Sequence, residues 1–333
     1  MLQADRVLVV TDTYFSRSGK AMEIGKRIPG AEVRVFDEVI PDPPASLAAK
    51  GAAVCCKFRP ELLIALGGGS PMDCAKAIRL AAESPMLFVA IPTTSGSGSE
   101  VTSFSVLTHG DVKHALIDPT LRPDLAILDE TLLEELPPML IADTGMDLLA
   151  HCLEAMVSKN RNGFTDALAI HGVRTVLQDL ASSVQGEKTV RLRLHEAATM
   201  AGMAFDNAGL GLCHAMAHVL GGELHLPHGR LCALLLPPVL KYNAAAALSR
   251  YAALAAACGL TGATEKLSLR NLISAVEQLR TRLRLPGTLK EAGCSLTVDH
   301  SMIKAVLADP CCGTNPVPVT ETAVQTILKA VIA

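Results

Sequence analysis

The sequence predicts an α/β domain with a parallel sheet, followed by an all-α domain. In roughly the first 130 of its 333 residues, short apolar runs alternate with segments of helical spacing, which is typical of a parallel α/β sheet. After Pro137 and Pro138 the strand-like runs nearly vanish, and long stretches rich in Ala, Leu and Met follow. The length also favours two domains. We therefore predict a boundary near Leu136, with domains of residues 1–136 and 137–333.

The individual elements follow from the apolar runs and the turn residues. Short apolar runs predict strands, and the longest of them predict buried strands, because helices cover both faces of a parallel sheet. The predicted strands are Arg6–Thr11, Glu32–Phe36, Glu61–Leu66, Met86–Ile91 and the short Ala126–Leu128. The predicted helices of the first domain are Ser18–Arg27 and Ser46–Lys57, with a proline-rich turn at Pro41–Pro44 before the second. The predicted helices of the second domain are Leu140–Ser158, Ala167–Leu180, Leu194–Ala204, Ala215–Leu220 and Asn243–Cys258.

Composition and charge exclude several classes of function. The net charge is −3, basic and acidic residues are interspersed, and aromatic residues make up only 3%, which argues against binding of nucleic acid. No uncharged apolar run approaches the roughly 18 residues of a membrane span, and the N-terminus lacks the pattern of a signal peptide. The ten cysteines form no CxxC pair. We expect reduced thiols and a cytoplasmic protein.

Two polar loops follow predicted strands and are candidates for binding phosphate and ribose. Gly67–Ser70 separates a strand from a helix, and we expect Ser70 to be the N-cap of that helix. A helix start opened by glycines exposes N–H groups that bind a pyrophosphate. Thr93–Ser99 is rich in hydroxyls and also follows a strand. Neither loop contains the GxGxxG fingerprint, so an ordinary strand-to-helix turn and a flexible polar connection remain alternatives.

Together, the two loops predict a nucleotide-type ligand, because open α/β sheets bind ligands in the crevice outside the carboxyl ends of their strands. Asp12 follows the first strand. A carboxylate there accepts hydrogen bonds from ribose hydroxyls and repels a 2′-phosphate, which favours NAD over NADP. An Asp in the turn before a helix is the alternative interpretation.

The predicted helical domain contains candidate metal ligands. Asp147 and His151 are spaced i,i+4, His214 and His218 repeat that spacing, and His228 follows in what reads as a turn. Residues at this spacing share one face of a helix. One carboxylate and several imidazoles suit iron or zinc, and an open coordination position would polarise an alcohol oxygen. A single histidine on an apolar helix is more often a core residue than a metal ligand. For each of these histidines considered alone, a role in the core therefore remains an alternative.

The sequence resembles the iron-containing (group III) alcohol dehydrogenases over nearly its whole length. The matching segments are residues 67–78, 91–108, 123–129, 142–158, 201–229 and 314–321. The similarity is strongest to the propanol and ethanol dehydrogenases of propanediol- and ethanolamine-utilisation microcompartments. It implies the dehydroquinate synthase-like architecture: a dinucleotide-binding domain, a helical metal-binding domain and an active site in the cleft between them.

The resemblance also implies roles for individual residues. It makes Asp147, His151, His214 and His228 the metal ligands, for Fe²⁺ or alternatively Zn²⁺, and His218 the proton relay. The residues that match contacts to NAD in the family are Asp12, Asp42, Gly68, Gly69, Ser70, Thr93, Thr94, Ser97 and Lys113. Asp42 stands where the wider family has an Asn.

The implied reaction is the interconversion of a short primary alcohol and its aldehyde with NAD(H). Phe104 and Phe205 match positions of the substrate pocket, and two phenyl rings favour a short unbranched alcohol over a diol. A homo-oligomer, a dimer, is expected, inside a bacterial microcompartment or free in the cytoplasm. Two alternatives remain: a glycerol- or diol-specific dehydrogenase, and a catalytically silent metal-binding scaffold of a microcompartment.

Overall fold

The computed structural model describes residues 3–110 and 112–332, and the chain divides into two compact units. The first unit comprises residues 1–134 and the second residues 135–333, so the division lies two residues before the predicted boundary. The first unit is α/β and the second is helical. This is the predicted fold class.

A five-stranded parallel sheet forms the centre of the first unit. Its strands are β1 (Arg6–Asp12), β2 (Glu32–Val39), β3 (Leu62–Gly67), β4 (Leu87–Pro92) and β7 (Leu125–Ala126), in the order β2-β1-β3-β4-β7. Alternate residues of a strand point to opposite faces. Leu8 and Leu63 therefore lie in one buried apolar cluster, whereas Val7 and Ile64 lie in another. Burial on both faces explains why β1, β3 and β4 were predictable from apolar runs.

Helices and a hairpin complete the first unit. The helices are α1 (Thr13–Arg17), α2 (Lys20–Gly25), α3 (Ala45–Phe58) and α4 (Gly69–Ala82). The predicted Ser18–Arg27 helix is shorter, because α1 precedes it and Gly19 adopts a positive φ of 75° between the two helices. The antiparallel hairpin of β5 (Phe104–His109) and β6 (Val112–Ile117) was not predicted. Its strands are only partly buried, so they lack the continuous apolar runs that marked the central strands.

The second unit is built from helices. Those in its described part are α5 (Pro138–Ala155), α6 (Gly163–Val184), α7 (Arg191–Ala208), α8 (Leu212–Leu224), α9 (His228–Ala257), α10 (Glu265–Arg282), α11 (His300–Ala308) and α12 (Glu321–Ile332). Local chemistry sets several starts. Asn162 caps α6 in a capping box with Thr165, and Asp299 caps α11.

Helix α9 corrects the prediction at a position that matters for the site. The sequence predicted a helix only from Asn243, but α9 begins at His228, so His228 is the first residue of a helix and does not lie in a turn. Pro237 and Pro238 lie inside it, and prolines ordinarily interrupt a helix. An 18-residue stretch of α9 has a mean hydropathy of 1.5, so by length and composition the helix would also suit a membrane span. However, 61% of this stretch is buried, as in the core helix of a globular protein.

Candidate functional site

Three helices of the second unit bring three histidines around one carboxylate oxygen. Asp147 and His151 lie on α5, His214 on α8 and His228 at the start of α9. The Nε2 atoms of His214 and His228 are each 3.5 Å from Oδ1 of Asp147, and Nε2 of His151 is 3.9 Å from it. The rings of His151 and His214 stack with their centroids 4.5 Å apart. The structure thus brings together the four predicted metal ligands.

Close backbone packing places His228 beside Asp147. A Cβ on Gly229 would lie only 1.8 Å from the backbone oxygen of Asp143, so α9 contacts α5 one turn before Asp147. The Arg230 guanidinium donates two hydrogen bonds to Asp143, of 3.1 and 2.8 Å. A bidentate pair of this kind fixes orientation as well as distance.

The donor set fits a divalent metal ion. Nδ1 of His214 is 2.6 Å from a carboxylate oxygen of Glu154, which only accepts hydrogen bonds, so Nδ1 carries a proton. The buried Nε2 of His214 has no hydrogen-bond partner among the described residues and faces another acceptor, Asp147. An imidazole lone pair that faces a carboxylate is stabilised when a cation, either a proton or a metal ion, lies between the two atoms. At metal–ligand distances of ~2.0–2.2 Å, tetrahedral donors lie ~3.4 Å apart, close to the observed separation.

Interactions with neighbouring charges outweigh burial in setting the pKa values of Asp147 and His214, but not that of His228. Burial raises the pKa of Asp147, but the attraction of the three imidazoles is larger and holds it well below its usual range. For His214, burial lowers the pKa, but the carboxylates of Asp147 and Glu154 raise it to about 10. Burial and the neighbouring imidazoles push the pKa of His228 well down. A metal ion would replace the second proton of His214.

Cys232 lies in the same cluster, and the sequence predicted it only as one of ten reduced thiols. Its Sγ is 3.6 Å from Oδ1 of Asp147 and 3.7 Å from Nε2 of His228. Asp147, His214, His228 and Cys232 each offer a ligand atom, and these atoms lie within 4.8 Å of one another. The i,i+4 spacing of His228 and Cys232 would have revealed this neighbour, had α9 been predicted to begin at His228.

His218 and Phe205 flank the cluster. The His218 ring stacks on His228 at 5.4 Å, and its Nδ1 is 2.8 Å from Oδ2 of Asp309. Burial raises the pKa of Asp309, but the hydrogen bond and the charge of His218 together lower it by more, so the net shift of this pKa is downward. No motif or spacing in the sequence pointed to Asp309. The buried Phe205 stacks on His151 with the ring centroids 4.4 Å apart.

The glycine loop of the first unit opens helix α4 without a side-chain cap. Gly68 is the N-cap and Gly69 the first helical residue, so the predicted N-cap Ser70 instead lies in the first turn. Glycine has no side chain to accept the hydrogen bonds of the first N–H groups. These groups remain available to an anion.

The hydroxyl-rich loop lies against the glycine loop. Strands β3 and β4 are parallel neighbours with Gly67 opposite Pro92, so both loops leave the same edge of the sheet. A Cβ on Gly68 would lie 3.2 Å from the Thr94 side chain, and one on Gly69 would lie 3.5 Å from Ser97. Thr93 is buried, and its N–H donates to the oxygen of Gly67.

The remaining predicted cofactor residues have partners within the first unit. Oδ1 of Asp12 accepts hydrogen bonds from the N–H groups of residues 14 and 15 and caps α1. This is the alternative role expected of a turn Asp, and its contact to ribose stays a prediction. Nζ of Lys113 is 2.6 Å from Oδ1 of Asp42. Phe104 begins β5 in this unit, whereas Phe205 belongs to the second.

The α/β unit with its two adjacent polar loops and the helical unit with its His/Asp cluster define a metal-dependent dehydrogenase. A family described as iron-containing alcohol dehydrogenase matches residues 1–130, and the Fe-containing alcohol dehydrogenase C-terminal family matches residues 141–332. The 1-propanol dehydrogenase PduQ of Salmonella typhimurium is 40% identical, over 98% of this chain and 93% of that one. The NADPH-dependent butanol dehydrogenase of Clostridium saccharobutylicum is 38% identical, over 91% and 84%.

Solved structures agree with these matches. A crystal structure of 1,3-propanediol oxidoreductase superposes with a TM-score of 0.91 at 33% identity, covering 98% of this chain and 92% of that one. The iron-containing alcohol dehydrogenase of Thermococcus thioreducens gives 0.88 at 34% identity, covering 98% and 93%. The chain belongs to the iron-containing alcohol dehydrogenase family, as the sequence predicted. It is therefore an oxidoreductase that interconverts alcohols and aldehydes, with NAD(H) as the cofactor that the family implies.

Proposed function

We propose that the chain interconverts short unbranched primary alcohols and their aldehydes, 1-propanol and propanal or ethanol and acetaldehyde, with NAD(H) and Fe²⁺. The observation that carries this proposal is the buried Nε2 of His214, which faces the Asp147 carboxylate across 3.5 Å with no hydrogen-bond partner among the described residues. Asp147, His151, His214 and His228 would hold the ion. When bound, the ion supplies Lewis acidity that lowers the pKa of the substrate hydroxyl.

The chain's own residues account for proton transfer and substrate choice. Because Asp309 accepts a hydrogen bond from Nδ1 of His218, Nε2 is the nitrogen that takes up and releases the proton of the alcohol. Phe205, stacked on His151, offers an apolar wall to a small alkyl chain, and Phe104 is proposed to line the pocket as well. An apolar wall leaves a second hydroxyl without a partner, which favours mono-alcohols.

Binding of the dinucleotide is assigned to the first unit. The first N–H groups of α4, at Gly68, Gly69 and Ser70, would hold the pyrophosphate. The neighbouring hydroxyls of Thr93, Thr94 and Ser97 would bind the nicotinamide ribose. Asp12, Asp42 and Lys113 would contact the adenosine side, where the Asp12 carboxylate disfavours a 2′-phosphate.

Oxidation of NADH tests the proposal. Purified protein is stripped of metal with a chelator, reloaded with Fe²⁺ or Zn²⁺, and assayed with propanal, acetaldehyde, dihydroxyacetone and 3-hydroxypropanal. We expect turnover with the first two aldehydes only when metal is present. Faster turnover of dihydroxyacetone, whose reduction gives glycerol, would favour a glycerol-specific dehydrogenase. Faster turnover of 3-hydroxypropanal, whose reduction gives 1,3-propanediol, would favour a diol-specific one, an alternative that the likeness to 1,3-propanediol oxidoreductase supports. Metal binding without any turnover would favour a silent scaffold.

We also propose that the enzyme is a cytoplasmic homo-oligomer, a dimer, that works inside a microcompartment, with shell or core enzymes as partners. The likeness to the 1-propanol dehydrogenases supports this setting. Light scattering during gel filtration measures the subunit number. A fluorescent fusion that stays diffuse in cells containing assembled compartments would contradict encapsulation.

A further inference from the structure

Glu154 is a buried carboxylate that takes no part in the proposed proton transfer or cofactor binding. It lies near the end of α5, three residues after His151, and only 3% of it is exposed. One of its oxygens accepts from Cys213 N at 2.6 Å. The other accepts from Gly211 N at 2.9 Å, from His214 N at 3.4 Å and from Nδ1 of His214 at 2.6 Å. All these partners are donors, and they lie at the start of α8.

We infer that Glu154 is a positioning residue of the metal centre. Its carboxylate holds the proton of His214 on Nδ1 and sets the rotation of the ring, so that the Nε2 lone pair faces Asp147. A carboxylate behind a metal-binding imidazole fixes the tautomer and makes the ligand more basic. This inference rests on the proposed function, because it assigns a role toward the same metal ion.

The donor pattern requires a carboxylate and not merely a polar side chain. In a Glu154→Gln variant one of the two positions becomes an NH₂ group. In one orientation this group opposes the N–H of Cys213, and in the other it opposes Gly211 N–H and both the backbone N–H and Nδ1–H of His214. The second orientation pushes the His214 proton toward Nε2, the atom that faces Asp147. Either orientation leaves buried donors unpaired.

The geometry of the ring leaves His214 little freedom to compensate. Its ring stacks on His151 at 4.5 Å and lies 5.4 Å from the ring of His228. A change of tautomer therefore removes the lone pair from the ligand set and cannot be corrected by a ring flip, since the flip would break the contact to residue 154. We therefore expect the metal affinity of the Glu154→Gln variant to fall. Any effect on folding should be confined to the start of α8, whose N–H groups donate to this side chain.

Metal titration of the apo-protein separates positioning from a purely structural role. The Kd for Zn²⁺ is measured by competition with a chelating dye, and the ligand-field absorption spectrum is recorded after titration with Co²⁺. For Glu154→Gln we expect a Kd roughly 10- to 100-fold higher and a changed cobalt spectrum, while circular dichroism remains that of the folded protein. The matched control is Asp299→Asn, which neutralises the carboxylate that caps α11 through Met302 N. It should leave the Kd and the cobalt spectrum unchanged.

A double-mutant comparison tests whether Glu154 acts through the imidazole. In a His214→Ala background, adding Glu154→Gln should change the Kd for Zn²⁺ by less than twofold, because the ligand through which Glu154 acts is gone. A full second loss of affinity in that background would overturn the inference, as would a folded Glu154→Gln protein with the Kd and cobalt spectrum of the parent.

The tautomer of the parent protein provides a measurement that needs no variant. In a long-range ¹H–¹⁵N spectrum of histidine-labelled, Zn²⁺-loaded protein, His214 should carry its proton on Nδ1. A proton on Nε2 would overturn the inference even if Glu154→Gln fails to fold. Failure of the proposed function looks different: the parent protein itself would then bind neither Zn²⁺, Co²⁺ nor Fe²⁺ stoichiometrically.

Discussion

Replacement of Gly229 by Ala should damage the metal centre through the backbone. The added Cβ would lie 1.8 Å from the backbone oxygen of Asp143 and 2.6 Å from its carbonyl carbon. Ordinary contact begins at 3.4 Å, so α9 and α5 would have to separate by roughly 1.6 Å at this point. Both partners are helix backbone, and no change of rotamer relieves the contact.

The expected cost exceeds that of ordinary overpacking. Extra methyl groups in a packed core cost about 1–3 kcal/mol when side chains can move, and here they cannot, so we expect a loss of about 3 kcal/mol or more. For a unit of this size that lowers Tm by roughly 6–12 °C. A separation above about 1 Å also takes His228 outside the tolerance of a metal–ligand bond, which is ~0.2 Å, so metal should be lost as well.

Calorimetry and metal analysis measure the two effects, with Gly163→Ala as the matched control. Gly163 is also at the start of a helix, α6, but a Cβ there has nothing within 4 Å. The control should retain its metal and keep its stability within about 1 kcal/mol, with a slight gain because Ala favours helix. A Gly229→Ala protein with parental Tm and full metal content would refute the argument from backbone contact.

Three further substitutions test the assigned residues. Asp12→Asn keeps an oxygen to cap α1 but removes the negative charge that repels a 2′-phosphate. The ratio of kcat/KM for NADPH to kcat/KM for NADH should therefore rise roughly fivefold or more, and an unchanged ratio would show that Asp12 does not determine cofactor choice. His218→Ala should lower kcat roughly 10²- to 10⁴-fold with metal retained, and loss of metal would make His218 a ligand instead. Gly68→Ala places a Cβ 3.2 Å from Thr94, beside the first N–H groups of α4, so KM for NADH should rise about tenfold with kcat nearly constant. An unchanged KM would contradict the proposal that these N–H groups bind the pyrophosphate.

The sequence predicted the parts of the fold that are buried on both sides. Strands β1, β3 and β4 lie between two apolar clusters, and their runs of apolar residues are unambiguous. The β5–β6 hairpin is half exposed, and its pattern resembles that of a loop. Helix α9 was predicted only from Asn243, and its first half contains Pro237 and Pro238, residues that ordinarily interrupt a helix. Local pattern alone does not report the tertiary packing that keeps a helix continuous through prolines.

For the candidate site, spacing identified the residues that share a helix but not those that meet across helices. Asp147 with His151 stood out because i,i+4 neighbours share a face. Glu154, Asp309 and Cys232 lie 60, 91 and 85 positions away from the residues they contact, His214, His218 and Asp147. No periodicity marks these three pairs, because each pair joins two separate segments of the chain. The contacts become visible only when the fold brings the two segments together.

This difference has a chemical consequence. Residues that donate directly to an ion must be of a few types, so their identity is a signal in the sequence. Residues that orient those donors need only accept a hydrogen bond, and any of the chain's 33 acidic residues can do so. Glu154 is distinguished from the others by what surrounds it: four donors, burial, and a ring whose far nitrogen faces a second carboxylate. The tautomer of His214 is therefore a property of the packing of α5 against the start of α8, and substitutions that shift this packing should change metal affinity without touching a ligand.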